Sequence, residues 1–432
     1  MERGRIFIFL IGVLLAGSGC AESEQSDGSG SGTPALDRLD AVPRYAVVST
    51  DFTSSSIAVL DESFQVLHES WVNSGTTYPG LVATLSGDVV LPTRQAGDGT
   101  LTVIDRFFTD VVTRFLVPSG DLSGQARTQG EAGGTGFSSN PQDFIYVSPD
   151  SAWVPRYEPN LDPAAPPQNQ GNDLFEVDPT EMIATGSRID LSPLNTTAEV
   201  MSEAGPVEVE VFARPSRGRL IGSRILVGLD RISASFDAAG PGMVAVVDLE
   251  NESVEGIEIP GLKNCGNLGA VPSAPTKVVV SCAGFSQPFG DEAQIRQSAG
   301  IALLDAAEQS VEIERLWRVA DHPEAAIAVG GVIALAEERV LGVASGDFAS
   351  TVDTLYTIDL TTGSQEPVYQ ATGSFVIGLS AYDPESEMVF VPDAAANAVI
   401  ELAVDQEELI QVGSTTIAPD LGLPPTQVYL LD

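Results

Sequence analysis

The chain has 432 residues, with 60 Asp and Glu against 21 Lys and Arg, for a formal net charge of −39. Such a surface repels phosphate backbones and anionic lipid headgroups, which argues against nucleic-acid binding. With 43% hydrophobic residues, 42 Gly, 28 Pro and no long helical periodicity, the composition suits a large, loop-rich core rather than a helical one.

The amino terminus reads as a secretory signal: a charged head, Met1 to Arg5, the apolar run 6–16, and small residues up to Cys20. The run is too short for a stable membrane span, and no other run approaches that length. Gly17, Ser18 and Gly19 before Cys20 resemble a bacterial lipobox, with leucine missing where Gly17 stands. The resemblance implies a signal peptide over 1–19 and diacylation of Cys20. Ala21 after it implies sorting to the outer membrane. Residues 20–42 are polar and Gly/Ser-rich, a composition that cannot offset its ordering entropy, and read as a flexible tether reaching roughly 25 Å. A single folded domain is expected over 43–432.

Along that domain a short phrase ending in aspartate recurs: IAVLD (57–61), LTVID (101–105), LFEVD (174–178), VAVVD (244–248), IALLD (301–305) and LYTID (355–359), with a degraded copy, VIELA (399–403). Repetition at a spacing of tens of residues marks units that bury their apolar faces against neighbours. Each phrase is flanked by other short β-branched runs bounded by Gly, Pro, Asp and Ser, which gives four antiparallel strands per unit. Units are expected at 80–118, 140–192, 206–261, 267–319, 326–371 and 374–414. In the second unit, PGLVATL (79–85) reads as the first strand and DVVLPTR (88–94) as the second. The opening unit lacks a first strand, which the terminal segment PPTQVYLLD (424–432) is expected to supply. The predicted fold is all-β: a seven-bladed β-propeller of four-stranded antiparallel blades, closed by the C-terminal strand joining the first blade. The phrase-ending aspartates are expected to cap the turns that follow them.

Cys265 and Cys282 flank the turn VPSAP (271–275), so a hairpin there sets them opposite one another; an oxidising compartment favours a disulfide between them. In a blade, the loops between second and third strands and the connections between blades emerge on one face. The long insertions fall there, among them 120–140, 157–173, 230–242 and 283–300, making that face the expected binding surface. Arg94, Arg156, Tyr157, Asp230, Arg231, Asp347 and Asp393 stand at second-strand ends and are its candidate contact residues; the arginines suit a carboxylate or sulfate. Trp153, Phe285 and Phe289 offer aromatic area. Arg214, Arg217, Arg219 and Arg224 read as a basic turn on the opposite face. The two histidines, His68 and His322, are isolated, and no nucleophile elbow, zinc motif, phosphate loop or calcium loop is present. No catalytic residue, metal ligand or cofactor is assigned.

LYTIDLTTG (355–363) and SPDSAWVP (148–155) are similar to the repeats of the YVTN/quinoprotein-like propeller superfamily. The resemblance implies the propeller fold and no particular activity. The expected role is a binding or scaffolding module that presents its loop-rich face to a protein, peptide or glycan, as a monomer at the outer membrane touching the membrane through its lipid alone. Enzymes of similar fold, lactonase-like or quinone-dependent dehydrogenase-like, are the alternative, as is an accessory lipoprotein of outer-membrane protein assembly.

Overall fold

The computed structural model describes residues 36–431, except 79–80, 83–84, 131–136, 203–204, 252, 289, 308–309, 348 and 407. The expected signal peptide, Cys20, most of the tether, Phe289 and Asp432 lie outside the described residues. Seven four-stranded antiparallel sheets follow one another as the blades of a propeller. Most of their inner and middle strands are β-branched runs buried on both faces, such as Tyr45–Thr50 and Arg224–Leu229. Seven apolar clusters each span one blade junction. Blade one meets blade two through Ile57, Trp71, Leu101 and Phe115. The circle ends where Phe390 and Val399 of blade seven pack on Tyr45 and Val47 of blade one.

The closing strand is Pro425–Leu430, antiparallel to Tyr45–Thr50 with Val47 opposite Val428. It also bonds to blade seven: Leu379 N donates to the Thr426 carbonyl and Val428 N to the Leu379 carbonyl, both at 2.9 Å. Gly378 permits this approach, since a Cβ there would stand 1.9 Å from the Thr426 oxygen. Asp383 of blade seven adds a polar staple, accepting from Tyr45 Oη at 2.6 Å and Arg44 at 3.0 Å.

Blades three, five, six and seven hold the expected strands in the expected order. Blade two is shifted by one. No strand forms among the described residues of 79–85, and Val89–Val90, expected to be second, is the inner strand. Among the described residues no further strand pairs with it; the Val89 carbonyl accepts from Gln427 of the closing strand. Pro92, lacking an N–H, ends the run early. Thr100–Asp105 and Val111–Leu116 become second and third, and the fourth is Leu122–Arg127, inside the segment expected to be a loop. Blade four begins at Pro215–Ile221 rather than at 206. The preceding hairpin, Thr196–Ser202 and Gly205–Phe212, pairs instead with Ile232–Ser233 in a separate three-stranded sheet. Within the segment read as a tether, Leu36 and Leu39 are buried, Leu36 N bonding to Tyr78 Oη and Leu39 N to the Pro118 carbonyl.

Cys265 and Cys282 form a disulfide, joining the approach to the inner strand of blade five to the end of its second strand. Four of the recurrent aspartates cap turns: Asp61, Asp178, Asp248 and Asp359 each accept two backbone N–H groups from the residues that follow. Asp105 does not, because the shifted register carries it to the other end of the sheet. There it is buried and accepts from both Ser86 N and Ser86 Oγ. Asp305 caps no turn among the described residues.

If closure carries the fold, a charge within its buried seam is far more damaging than one on an outer strand. Val428→Asp is expected to cost about 4 kcal/mol or more, and Val412→Asp, at an exposed position, to stay within about 0.5 kcal/mol. Denaturant titration of the two variants against wild type measures both.

Candidate functional site

Two faces follow from the strand order. The upper face gathers the loops from second to third strands and the connections between blades; the lower face carries the tight turns. On the upper face a groove of about 380 Å³ opens between blades two, three and four. Phe107 and Phe108 enter it from the 106–110 turn, their rings 4.2 Å apart. Glu158 to Asp162 form a second wall, and Phe137 and Phe236 complete the lining. Phe108 N bonds to Ser138 Oγ, which in turn donates to Asp110, so a buried carboxylate fixes the aromatic turn against the connection to blade three.

Beneath the groove lies a charged cluster. Arg214, fully buried, pairs with Glu158 at 2.8 Å and stacks over Phe236 and Tyr157 at 4.4 and 4.9 Å from their ring centres. Asp230 sits beside Tyr157. Burial pushes its carboxyl up to about 6, against the opposing pull of the Tyr157 hydroxyl, the Arg214 charge and the Gly266 N–H. Burial and the Asp230 charge hold the Tyr157 phenol well above its ordinary value, so it serves as a hydrogen-bond donor.

Four of the remaining candidates are committed to internal contacts. Arg156 is completely buried, bidentate to Asp173 at 2.7 and 2.6 Å, and bonded to the Thr128 and Gln168 carbonyls. Arg231 donates to the carbonyls of Pro241 and Leu194. Asp347 accepts three loop N–H groups, which hold its carboxyl well below the usual range. Asp393 caps its own turn and accepts from Tyr369 Oη. Arg94 lies on the lower side, because the one-strand shift of blade two reverses its end of the sheet. There it lines a second cleft of about 250 Å³ near the ring axis, with Asp143, Tyr146 and Arg219.

The arginine run is not a single turn. Arg214 precedes the inner strand of blade four, Arg217 and Arg219 lie within it, and only Arg224 borders the turn. Arg217 reaches across to blades one and two, donating to the Leu91 carbonyl at 2.8 Å and lying 3.5 Å from Tyr429 Oη. Trp153 packs between blades three and four, and Phe285 is half-buried below Lys263. Among the described residues no cluster of His, Cys, Asp and Glu is arranged to hold a metal ion, and no helix is long and apolar enough to cross a membrane.

What residue-by-residue reading missed is the phenylalanines. Phe52, Phe107, Phe108, Phe236 and Phe375 are exposed, and all five lie in upper-face segments. Four of them hold a left-handed backbone, with φ of 66° at Phe52, 67° at Phe108 and 59° at Phe236 and Phe375. The available signal was an aromatic residue inside a short loop of small and polar residues, as in DFTSSS (51–56) and SFDAAG (235–240).

No family model matches the chain, and no curated protein matches it. Among solved structures the chain is similar to a candidate 6-phosphogluconolactonase from Bacteroides fragilis, with a TM-score of 0.55 and 11% identity over 91% of this chain and 99% of that one. It is also similar to the periplasmic gluconolactonase PpgL of Pseudomonas aeruginosa, at 0.52 and 11% over 91% and 99%. At such identity the likeness establishes the propeller fold and nothing finer.

The Asp230 carboxyl generates a pH prediction. Its folded pKa lies above the unfolded value, so the folded state holds more protons between about pH 4 and pH 6. Stability from this group is fully present below the unfolded pKa and is lost as pH rises toward 6. Asp105, also raised to about 6 by burial, acts in the same sense. Asp230→Asn is expected to flatten the fall in stability over that interval, measured by denaturant titration at stepped pH.

Proposed function

We propose that this chain is an extracytoplasmic binding propeller, tethered through a lipidated Cys20, that presents its upper face to a protein, peptide or glycan partner. One observation carries the reading: every exposed phenylalanine among the described residues lies on that face. Monomeric proteins rarely leave aromatic area grouped in solvent unless something covers it, and three of these rings line one groove. The disulfide and the signal-like amino terminus both support an oxidising, exported location.

Affinity capture from membrane extracts tests the role. A partner retained by wild type is expected to be lost by the Phe107→Ser/Phe108→Gly double variant. Equal retention by both removes the groove from consideration. Turnover of an aldonolactone by the purified protein would replace the binding reading with an enzymatic one, for which the arginine-lined axial cleft is the natural substrate site. The anchor has a separate test. The mature amino terminus is expected to begin at a diacylglyceryl-modified Cys20, and a mass corresponding to an unmodified terminus overturns it.

A further inference from the structure

The groove's chemistry narrows the partner. Its walls combine phenylalanine rings with carboxylates: Phe107, Phe108 and Phe236 face Glu158 and Asp162, with Leu161 exposed between them. Aromatic faces attract cations through their quadrupole, and more strongly where a carboxylate stands near. The protein already uses this arrangement internally. Arg214 is held from beneath by Phe236, Tyr157 and Glu158 together, which shows the pairing of guanidinium with ring and carboxylate but leaves Asp162 as the carboxylate open to a partner. The net charge of −39 adds long-range attraction for a cationic partner and opposes an anionic one.

Backbone conformation gives a second, independent observation. A bulky residue at positive φ costs free energy that glycine would not, and such strain persists where it serves a purpose. Phe108 carries that strain while remaining 64% exposed, so burial of its ring does not compensate for it; Phe236, 53% exposed, is offset in part by its stack on Arg214. Maintaining exposed rings in a disfavoured conformation fits a recognition surface.

We propose that the groove binds a polypeptide segment in which arginine or lysine alternates with apolar residues, the apolar side chains lying against Phe107, Phe108 and Leu161 and the cations reaching Asp162 and the aromatic faces. This inference rests on the upper-face reading above and specifies its partner. The test uses the full mature chain and two blocked hexapeptides, alternating leucine–arginine and alternating leucine–glutamate, titrated calorimetrically at low and raised salt.

The leucine–arginine peptide is expected to bind at least about tenfold more tightly, with affinity falling as salt rises. Phe108→Gly is expected to abolish binding while leaving the unfolding temperature equal or higher, since glycine relieves the backbone. Phe52→Gly, at a more exposed phenylalanine of the same backbone conformation outside the groove, is expected to retain it. Asp162 Oδ1 accepts from Ala164 N at 2.9 Å; Asp162→Asn, which keeps an acceptor for that bond, is expected to weaken binding and flatten its salt dependence. Equal, Phe108-dependent binding of both peptides overturns the cationic partner and leaves the upper-face reading standing. Phe108-dependent binding of phosphatidylcholine vesicles without either peptide overturns it in favour of a membrane surface. Failure of both peptides together with unchanged partner capture by the Phe107/Phe108 variant sinks both readings.

Discussion

The pairing of Pro425–Leu430 with Tyr45–Thr50 is the contact on which the rest of this protein depends. Without it, Tyr45–Thr50 is a free edge at the head of blade one, and blade seven loses the strand that Leu379 bonds to. Closure also sets where every loop points. Once the ring is complete, second-to-third-strand loops from all blades share one face, and that is why segments as distant as 106–110, 158–162 and 236 line a common groove. No stretch of local sequence contains that groove; the ring assembles it.

Closure also explains part of the acidity. Apolar packing fills the blade junctions but cannot satisfy the loop N–H groups crossing them, and buried aspartates do. Asp143 links blade three to Thr93 of blade two and to Gly218 of blade four. Asp353 accepts from Phe375, Val376 and Ile377 on the way into blade seven, and Asp383 ties blade seven to Arg44 and Tyr45. Asp110 gathers Ser138, Ser139 and Asn140. These carboxylates are structural, whereas the solvent-facing remainder sets the field felt by a partner.

Legibility in the sequence followed the locality of each feature. Strand content, the repeat, the disulfide and terminal closure all rest on patterns a few residues long, or on one obvious deficit, and could be read. The phase of blade two could not. LTVID there looks like its counterparts, and what separates them is whether Asp105 meets its own turn or Ser86, a contact set by the sheet edge and not by the phrase. Arg94 was carried to the wrong side by the same shift. Arg156 and Arg231 illustrate a second limit: an arginine at a loop-facing strand end reads identically whether it faces solvent or, as here, supports the loop from below.

The phenylalanines mark the sharpest division between fold and function. Phe64 also has a left-handed backbone, but its ring stacks on Phe390 at 4.0 Å inside the blade seven–blade one core, where burial offsets the strain. Phe52, Phe108, Phe236 and Phe375 accept the same conformation while more than half exposed. Glycine at any of the four would suit the backbone better. A sequence shaped by stability alone would therefore drift away from these residues. Their grouping on one face, opposite the tight turns that the aspartates cap, is what a surface shaped by an external contact would show.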